Sequence, residues 1–348
     1  MDPVIGATKG SAHNVTFPGW NAAVTPRRRV KACNGPMRRL SALLLCLLLA
    51  SPLLAGPAPA QDAPPFPNSR FETLDGIRVH VRQWPAAAGG RGCPVLLLHG
   101  LGGSTFSFRE LAPALAAAGH PVWALDLPAY GYSARVPFPR TAGGALGPWL
   151  QAQAPGPWCL LGHSMGTRVV AELAQRPAFA RSVVYIAGNP ILSPRELRSR
   201  ERFRSPRFRR FVAGLVESRY LGHPERIADL IERAYNREPR PEEVRGYLAP
   251  LQRPGTALAI LTGYSAQWPP PADAARLDRV PTLVVWGEDD RWVKPEVARR
   301  LRGELPSARW AIIAGAGHAP METHPDETAR AVIAQFSAVD PREAQAAR

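Results

Sequence analysis

A chain of 348 residues can bury one large core or two modest ones, and its 45% hydrophobic content is ordinary for a globular protein. The formal charge of +15 is unevenly spread: residues 1–60 carry seven basic side chains against Asp2 alone, and the remainder 36 against 27 acids. Lys294 is the only lysine after residue 60, so this excess reads as an arginine-rich composition. With no RNP-type, zinc-finger or helix-turn-helix pattern beside it, a nucleic-acid partner is excluded.

In chain order, Met37-Arg38-Arg39 precedes the leucine-rich run Leu40–Ala50, and small residues and prolines follow up to Ala60. A basic start, a short apolar segment and a small-x-small site predict a secretory signal peptide over 37–60, and hence a periplasmic or secreted protein. The run is too short for a stable membrane span. Residues 1–36 are polar and aperiodic, and a translation start at Met37 accounts for them. Residues 61–69 read as a proline-rich linker.

From there the pattern alternates. Arg70–Leu74 and Ile77–Trp84 flank Asp75-Gly76, a hairpin signal, with Arg78, His80 and Arg82 on a wet face. Pro94–Leu98 is an apolar run that fits a buried parallel strand, ending at His99-Gly100-Leu101-Gly102-Gly103. A helix is expected over Phe106–Ala118, a strand over Pro121–Leu127, a short helix around Leu146–Ala152 and a strand over Ser182–Ala187. Between 190 and 268 the chain is arginine-dense and strand-poor, with 15 arginines against nine acids from Ser193 to Arg253. About four helices are expected there. One carries an apolar stripe of Phe203, Phe208, Phe211, Val212 and Leu215, another a stripe of Ile227, Leu230, Ile231 and Ala234. Strand and helix patterns resume at Pro281–Gly287, Pro295–Arg302, Arg309–Ile313 and Pro325–Phe336, with a tail over 339–348. This rhythm predicts an α/β fold with a mostly parallel central sheet and helices on both faces.

The stretch that carries chemistry is Trp158–Val170. An apolar run meets Gly162-His163-Ser164-Met165-Gly166 and turns into a helical pattern. A sharp strand-to-helix turn lifts the serine hydroxyl clear of the sheet, and glycines are needed where strand and helix pass closely. A serine hydroxyl needs a base, and the base needs an acid to fix its tautomer. His318, between Gly317 and Ala319 on a loop after a late strand, suits the first role. Asp290, three residues past Gly287, suits the second; Asp289 or Glu288 would serve if turned inward. The backbone N–H of Met165, at a helix N-terminus, is placed to donate to a developing oxyanion.

These motifs resemble the α/β-hydrolase fold superfamily, in its cap-bearing branch of esterases, carbon–carbon bond hydrolases and perhydrolase-like enzymes. The resemblance covers about residues 70–338. It rests on His99–Gly103, Asp126-Leu127-Pro128-Ala129-Tyr130-Gly131, Gly162–Gly166, Gly287–Asp290 and Gly317-His318, in the family's order. It implies a core over 70–189 and 269–338, a helical cap over 190–268, and a catalytic triad of Ser164, Asp290 and His318. It also implies the Leu101 N–H as the second oxyanion donor, supported by His99 and Gly100, with no cofactor and no metal. A small carboxylic ester, cleaved through an acyl-enzyme, is the expected substrate. A C–C bond hydrolase or perhydrolase with the same triad is the alternative, and a catalytically silent binding domain the alternative of another class. A peripheral membrane contact, through the arginine-rich segment Arg195–Arg210 with Phe203, Phe208 and Phe211, is a lesser reading, since solvated helix faces account for the same residues. The oligomeric state stays open.

Smaller expectations complete the reading. Asp126 bonds its own loop, and His163 packs beneath the elbow. His80, His120, His223 and His324 are surface or helix-end residues. Cys93 and Cys159 lie near the starts of neighbouring strands; buried free thiols are the commoner outcome there, and a disulfide the outcome in an oxidising compartment.

Overall fold

The computed structural model describes residues 63–137, 142–193, 196–198, 201–266 and 272–339. The leader-like segment 37–60, the extension before it and the tail from 340 lie outside the described residues. Eight strands form one sheet in the order β1-β2-β4-β3-β5-β6-β7-β8. They are β1 (Ser69–Leu74), β2 (Ile77–Trp84), β3 (Val95–Leu98), β4 (Val122–Leu125), β5 (Trp158–His163), β6 (Ala180–Ile186), β7 (Thr282–Gly287) and β8 (Arg309–Ile313). The first two pair antiparallel, β2 pairs antiparallel with β4, and every later pairing is parallel. The β1–β2 turn places Asp75 and Gly76 at φ of 50° and 75°, the positive pair that an Asp-Gly hairpin turn requires.

Alternation along the central strands divides the core in two. Leu96, Leu98, Leu160, Tyr185 and Trp286 face one side, which α2 (Ala142–Gln153) and α3 (Gly166–Ala174) cover. Val95, Leu97, Leu161, Ile186 and Val285 face the other, where α1 (Leu111–Ala117) packs. The expected single helix over Phe106–Ala118 is instead a 3-10 turn, Thr105–Phe108, and then α1. Ser104 caps that turn through its side chain, so the chain bends there before the helix begins.

Between β6 and β7 lies the helical insertion: α4 (Pro206–Val216), α5 (Pro224–Tyr235), α6 (Pro241–Leu251), α7 (Thr256–Ala266) and the short α8 (Ala274–Leu277). Prolines at the first turns of α4, α5 and α6 start each helix where a missing N–H costs nothing. After β7 come α9 (Pro295–Glu304), α10 (Pro320–Thr323) and α11 (Pro325–Ser337).

Two expectations are corrected by this packing. Cys93 and Cys159 form a disulfide, with Cα atoms 5.9 Å apart, at the end of β3 and β5 opposite the nucleophile turn. Parallel register brings Val95 beside Cys159, which sets Cys93 within reach. Closing a loop of 66 residues stabilises the fold by about 4 kcal/mol on chain-entropy grounds. His80 and His120 are buried rather than on the surface. His80 sits among the rings of Phe66, Phe71 and Tyr132, so the polar face of β2 is dry at that position. His120 packs against Phe336 beside the disulfide, and its Nδ1 hydrogen-bonds the Cys93 carbonyl at 3.1 Å.

Candidate active site

The site forms at the carboxyl ends of β3, β5, β7 and β8, where loops from four strands converge. Ser164 follows β5 and holds φ at +49°, a left-handed conformation that costs a non-glycine residue about 1–3 kcal/mol. Its neighbours enforce that geometry. A Cβ on Gly162 would stand 2.6 Å from the Gly166 backbone, and one on Gly166 would overlap the Leu98 carbonyl. The Ser164 N–H donates to Ile186 O at 2.9 Å, and its carbonyl accepts from Thr167 Oγ1 at 2.6 Å. The serine is thus locked from below while its side chain lines two cavities.

The inner cavity, of about 260 Å³, is largely apolar. His318, Gly100–Gly103 and Trp292 line it from the core, and Ile227, Leu230, Ile231 and Ala234 from α5. The outer cavity, of about 660 Å³, is lined by Leu101, Met165, Arg168, Glu196, Tyr264, Lys294 and Arg300 among others. Lys294, the single lysine after residue 60, therefore stands in the same cavity as Ser164.

The acid and base loops meet by direct bonds. His318 Nδ1 lies 2.9 Å from Asp290 Oδ2, and Asp290 Oδ1 accepts from the Trp292 and Val293 N–H groups at 2.8 and 3.0 Å. Of the three carboxylates considered from sequence, Asp290 is the buried one. Asp289 is exposed, and Glu288 accepts from the Gly315 N–H instead. The Trp292 ring stacks on His318, with centroids 5.6 Å apart and planes 11° from parallel. The insertion holds both loops: the His318 N–H donates to Ala234 O at 2.7 Å, and Asn236 Nδ2 donates to Asp289 O at 3.0 Å. Asn236 ends α5 in a left-handed conformation, φ 57°, which turns its amide toward that carbonyl.

His163 lies beneath the turn, as its position after the glycine implies. Its Nε2 donates to the His318 carbonyl at 2.9 Å. Burial first, and then the neighbouring His318, push its pKa down to about 3, so the ring is neutral. His99 is fully buried and bonds its own loop: Nδ1 donates to Gly100 O at 2.8 Å and Nε2 accepts from the Leu127 N–H at 3.0 Å. Burial lowers its pKa, and both nitrogens are occupied by backbone. Leu101 projects a half-exposed side chain between the two cavities, and Met165 precedes the first residue of α3. Among the described residues, neither of their N–H groups donates to a backbone carbonyl.

Asp126 bonds its own loop through the Tyr132 N–H at 2.8 Å, and also reaches the Thr105 N–H at 2.6 Å and His80 Nδ1 at 2.7 Å. Burial alone would raise its pKa, but the His80 bond and charge, with His99 and the Tyr132 N–H, hold it below the ordinary value. The loop after β3 is therefore braced by a carboxylate at the end of β4. His80 is the partner that the strand alternation hid.

A second buried cluster was not legible in the sequence. Glu322, on α10, accepts from Tyr235 OH at 2.6 Å, from Tyr247 OH at 2.5 Å and from Arg109. Arg109 also pairs with Glu243 at 3.2 Å, which Arg237 and Arg240 surround in turn. Tyr235 belongs to α5 and Tyr247 to α6, and both line the inner cavity. These bonds seat the insertion on the core directly behind the Ser164–His318 cavity.

Residues 94–325 match the alpha/beta hydrolase fold family, and the chain belongs to that family. It is a hydrolase of the esterase type within it. The chain is 32% identical over 236 residues to a pimeloyl-[acyl-carrier protein] methyl ester esterase of Neisseria meningitidis serogroup B, covering 66% of this chain and 87% of that protein. It is 26% identical over 269 residues to the uncharacterized hydrolase YugF of Bacillus subtilis, covering 75% and 94%. Among solved structures, a thermophilic esterase from Thermogutta terrifontis superposes with a TM-score of 0.59 at 20% identity, covering 78% of this chain and 98% of that one.

Proposed function

We propose that the protein cleaves a small carboxylic ester through an acyl-enzyme on Ser164, with His318 as base and Asp290 as the group that orients it. One observation carries this reading: the 2.9 Å Asp290–His318 bond stands beside a serine held at φ +49° in the same cavity. The Asp290 carboxylate fixes the proton on Nδ1, which leaves Nε2 to take the Ser164 Oγ proton as Oγ attacks the ester carbonyl. The N–H groups of Leu101 and Met165 receive the developing oxyanion. His318 then returns its proton to the departing alcohol. A water, deprotonated by the same nitrogen, releases the acid and restores the serine.

The helical insertion acts as a cap, and its α5 stripe supplies the apolar wall of the inner cavity. That cavity, about 260 Å³, lies just below the range of about 300–1,000 Å³ that ligand sites typically span. It suits a short acyl or alkyl group, with the larger part of the substrate in the outer cavity. The Neisseria relative, by its name, acts on the methyl ester of a carrier-linked acyl chain. We further infer that the protein is exported, a reading supported by the leader-like 37–60 sequence and by the Cys93–Cys159 disulfide.

A fluorophosphonate probe offered to the protein and to Ser164→Ala tests the nucleophile, and a ladder of p-nitrophenyl esters tests the reaction. Labelling lost in the variant, with turnover of short esters, is the expected result. Absence of labelling in folded protein would sink the reading. Export is checked by N-terminal sequencing of protein from the cell envelope, with cleavage near Gln61 expected.

A further inference from the structure

Among the described residues, eight large hydrophobic side chains are exposed, and four of them fall within 208–220. Phe211 is 68% exposed, Leu215 42%, Phe208 39% and Tyr220 39%. The first three stand on α4 at the spacing of a single helix face, opposite Ala213, the one buried residue of that helix. Arg207 and Arg210 share the outward face, and Arg204 and Arg219 flank it, all exposed, against Glu201 and Glu217. An apolar row rimmed by cations on an outward helix face is the pattern of interfacial helices.

We propose that α4 is the surface by which this protein docks on an anionic lipid bilayer. Charge complementarity selects that occupant. A second copy paired about a two-fold axis would set the arginines of one face against those of the other. Phosphate headgroups pair with the arginines while Phe211 and Leu215 enter the acyl boundary. No helix among the described residues is long and apolar enough to cross a membrane, so this contact is peripheral.

The docked face adjoins the site. Phe208 packs on Phe203, and Phe203 edge-on against Tyr264, each with centroids 5.5 Å apart, and Tyr264 lines the outer cavity that holds Ser164. A lipid-soluble ester is the substrate class this arrangement favours; that last step rests on Ser164 as nucleophile, whereas the docking does not.

Hydrogen exchange of the full chain, with and without phosphatidylglycerol vesicles at low salt, tests the docking at the helix itself. Exchange across residues 206–221 should slow about fivefold or more, with α5 unchanged, and the slowing should vanish with phosphatidylcholine vesicles and in Phe211→Glu. That variant should keep wild-type turnover of p-nitrophenyl acetate, which separates loss of docking from loss of fold or of the site. Equal exchange in 206–221 with and without anionic vesicles would overturn the proposal. So would slowing that persists in Phe211→Glu, or slowing without vesicles that tracks protein concentration, which marks a second copy instead.

Discussion

The inner and outer halves of the helical insertion carry the same sequence signature and use it in opposite ways. On α5, Ile227, Leu230, Ile231 and Ala234 turn inward, join the core and wall the cavity beside Ser164. On α4, Phe208, Phe211 and Leu215 turn outward. The difference lies in polar anchoring. Helices α5 and α6 are fixed by Tyr235 and Tyr247 on Glu322, by Ala234 O on the His318 N–H, and by Asn236 on the Asp289 carbonyl. Arg135 adds a further tie, bonding the carbonyls of Gly131 and Pro250 and the Thr256 hydroxyl. Helix α4 packs on α7 and on the turn before it. An apolar stripe thus fixes which helix face is amphipathic, but directional bonds decide what that face meets.

The sharpest way to break the contrast is to remove the inner anchor. Glu322→Ala takes the nearest carboxylate from the partly buried Arg109, and with it the acceptor of the Tyr235 hydroxyl and the carboxylate partner of Tyr247. A loss of about 3–5 kcal/mol is expected in urea unfolding. Ester turnover should fall with it, because the His318 loop hangs from the same helix. Next in size is Ile231→Ala on the inner stripe, which empties a buried position and should cost about 2–4 kcal/mol. It should also raise KM for short esters more than it lowers kcat, since the wall it removes touches substrate and not the reacting atoms.

Much of this site was readable from residue order. Gly162 and Gly166 announced a close strand–helix crossing, and both positions admit no Cβ. The loop bearing Asp290 was placed by the strand pattern, because β7, buried on both faces, leaves an apolar run that ends abruptly at its functional loop; the half-exposed edge strand β8 marks the His318 loop less sharply. What escaped were partners distant in sequence. His80 read as the wet face of a hairpin because alternation cannot register the rings of Phe66 and Tyr132 closing over it. Glu322, Arg109, Tyr235 and Tyr247 each resemble an ordinary helix residue, and only the fold reveals that they share one buried point. The Cys93–Cys159 bond was half legible: the two cysteines read as lying near the starts of neighbouring strands, but free thiols were the favoured outcome, and only the structure shows them joined.

Acid sharpens the comparison further. The Glu243 carboxylate, buried among Arg109, Arg237 and Arg240, would be raised by burial, but the hydrogen bonds of Arg237 and Arg240 bring its pKa down from 4.5 to about 2. A folded-state pKa below the unfolded one contributes stability that is complete above about pH 4.5 and is lost as the pH falls toward 2. The contribution is about 2 kcal/mol once the exposure of the Arg237 and Arg240 partners is allowed for. Glu243→Gln should therefore flatten the acid limb of stability against pH over that window, while leaving the slope near pH 7 unchanged. Unfolding midpoints in urea at pH 7, 4.5 and 3 would measure it, and a variant curve parallel to wild type would count against the cluster as the anchor.

The smallest effect is the most discriminating. Leu215→Ala removes the same number of side-chain carbons as Ile231→Ala, from a stripe that reads the same in sequence. On α4 that side chain is 42% exposed, so little apolar area leaves the core, and the change should fall within about 0.5 kcal/mol. Alanine is also the better helix former, which offsets part of what is lost. Urea unfolding of the two variants side by side reads the difference directly. A cost for Leu215→Ala approaching that of Ile231→Ala would mean that α4 is covered in the free protein, and its outward stripe would then be core rather than a surface kept for lipid.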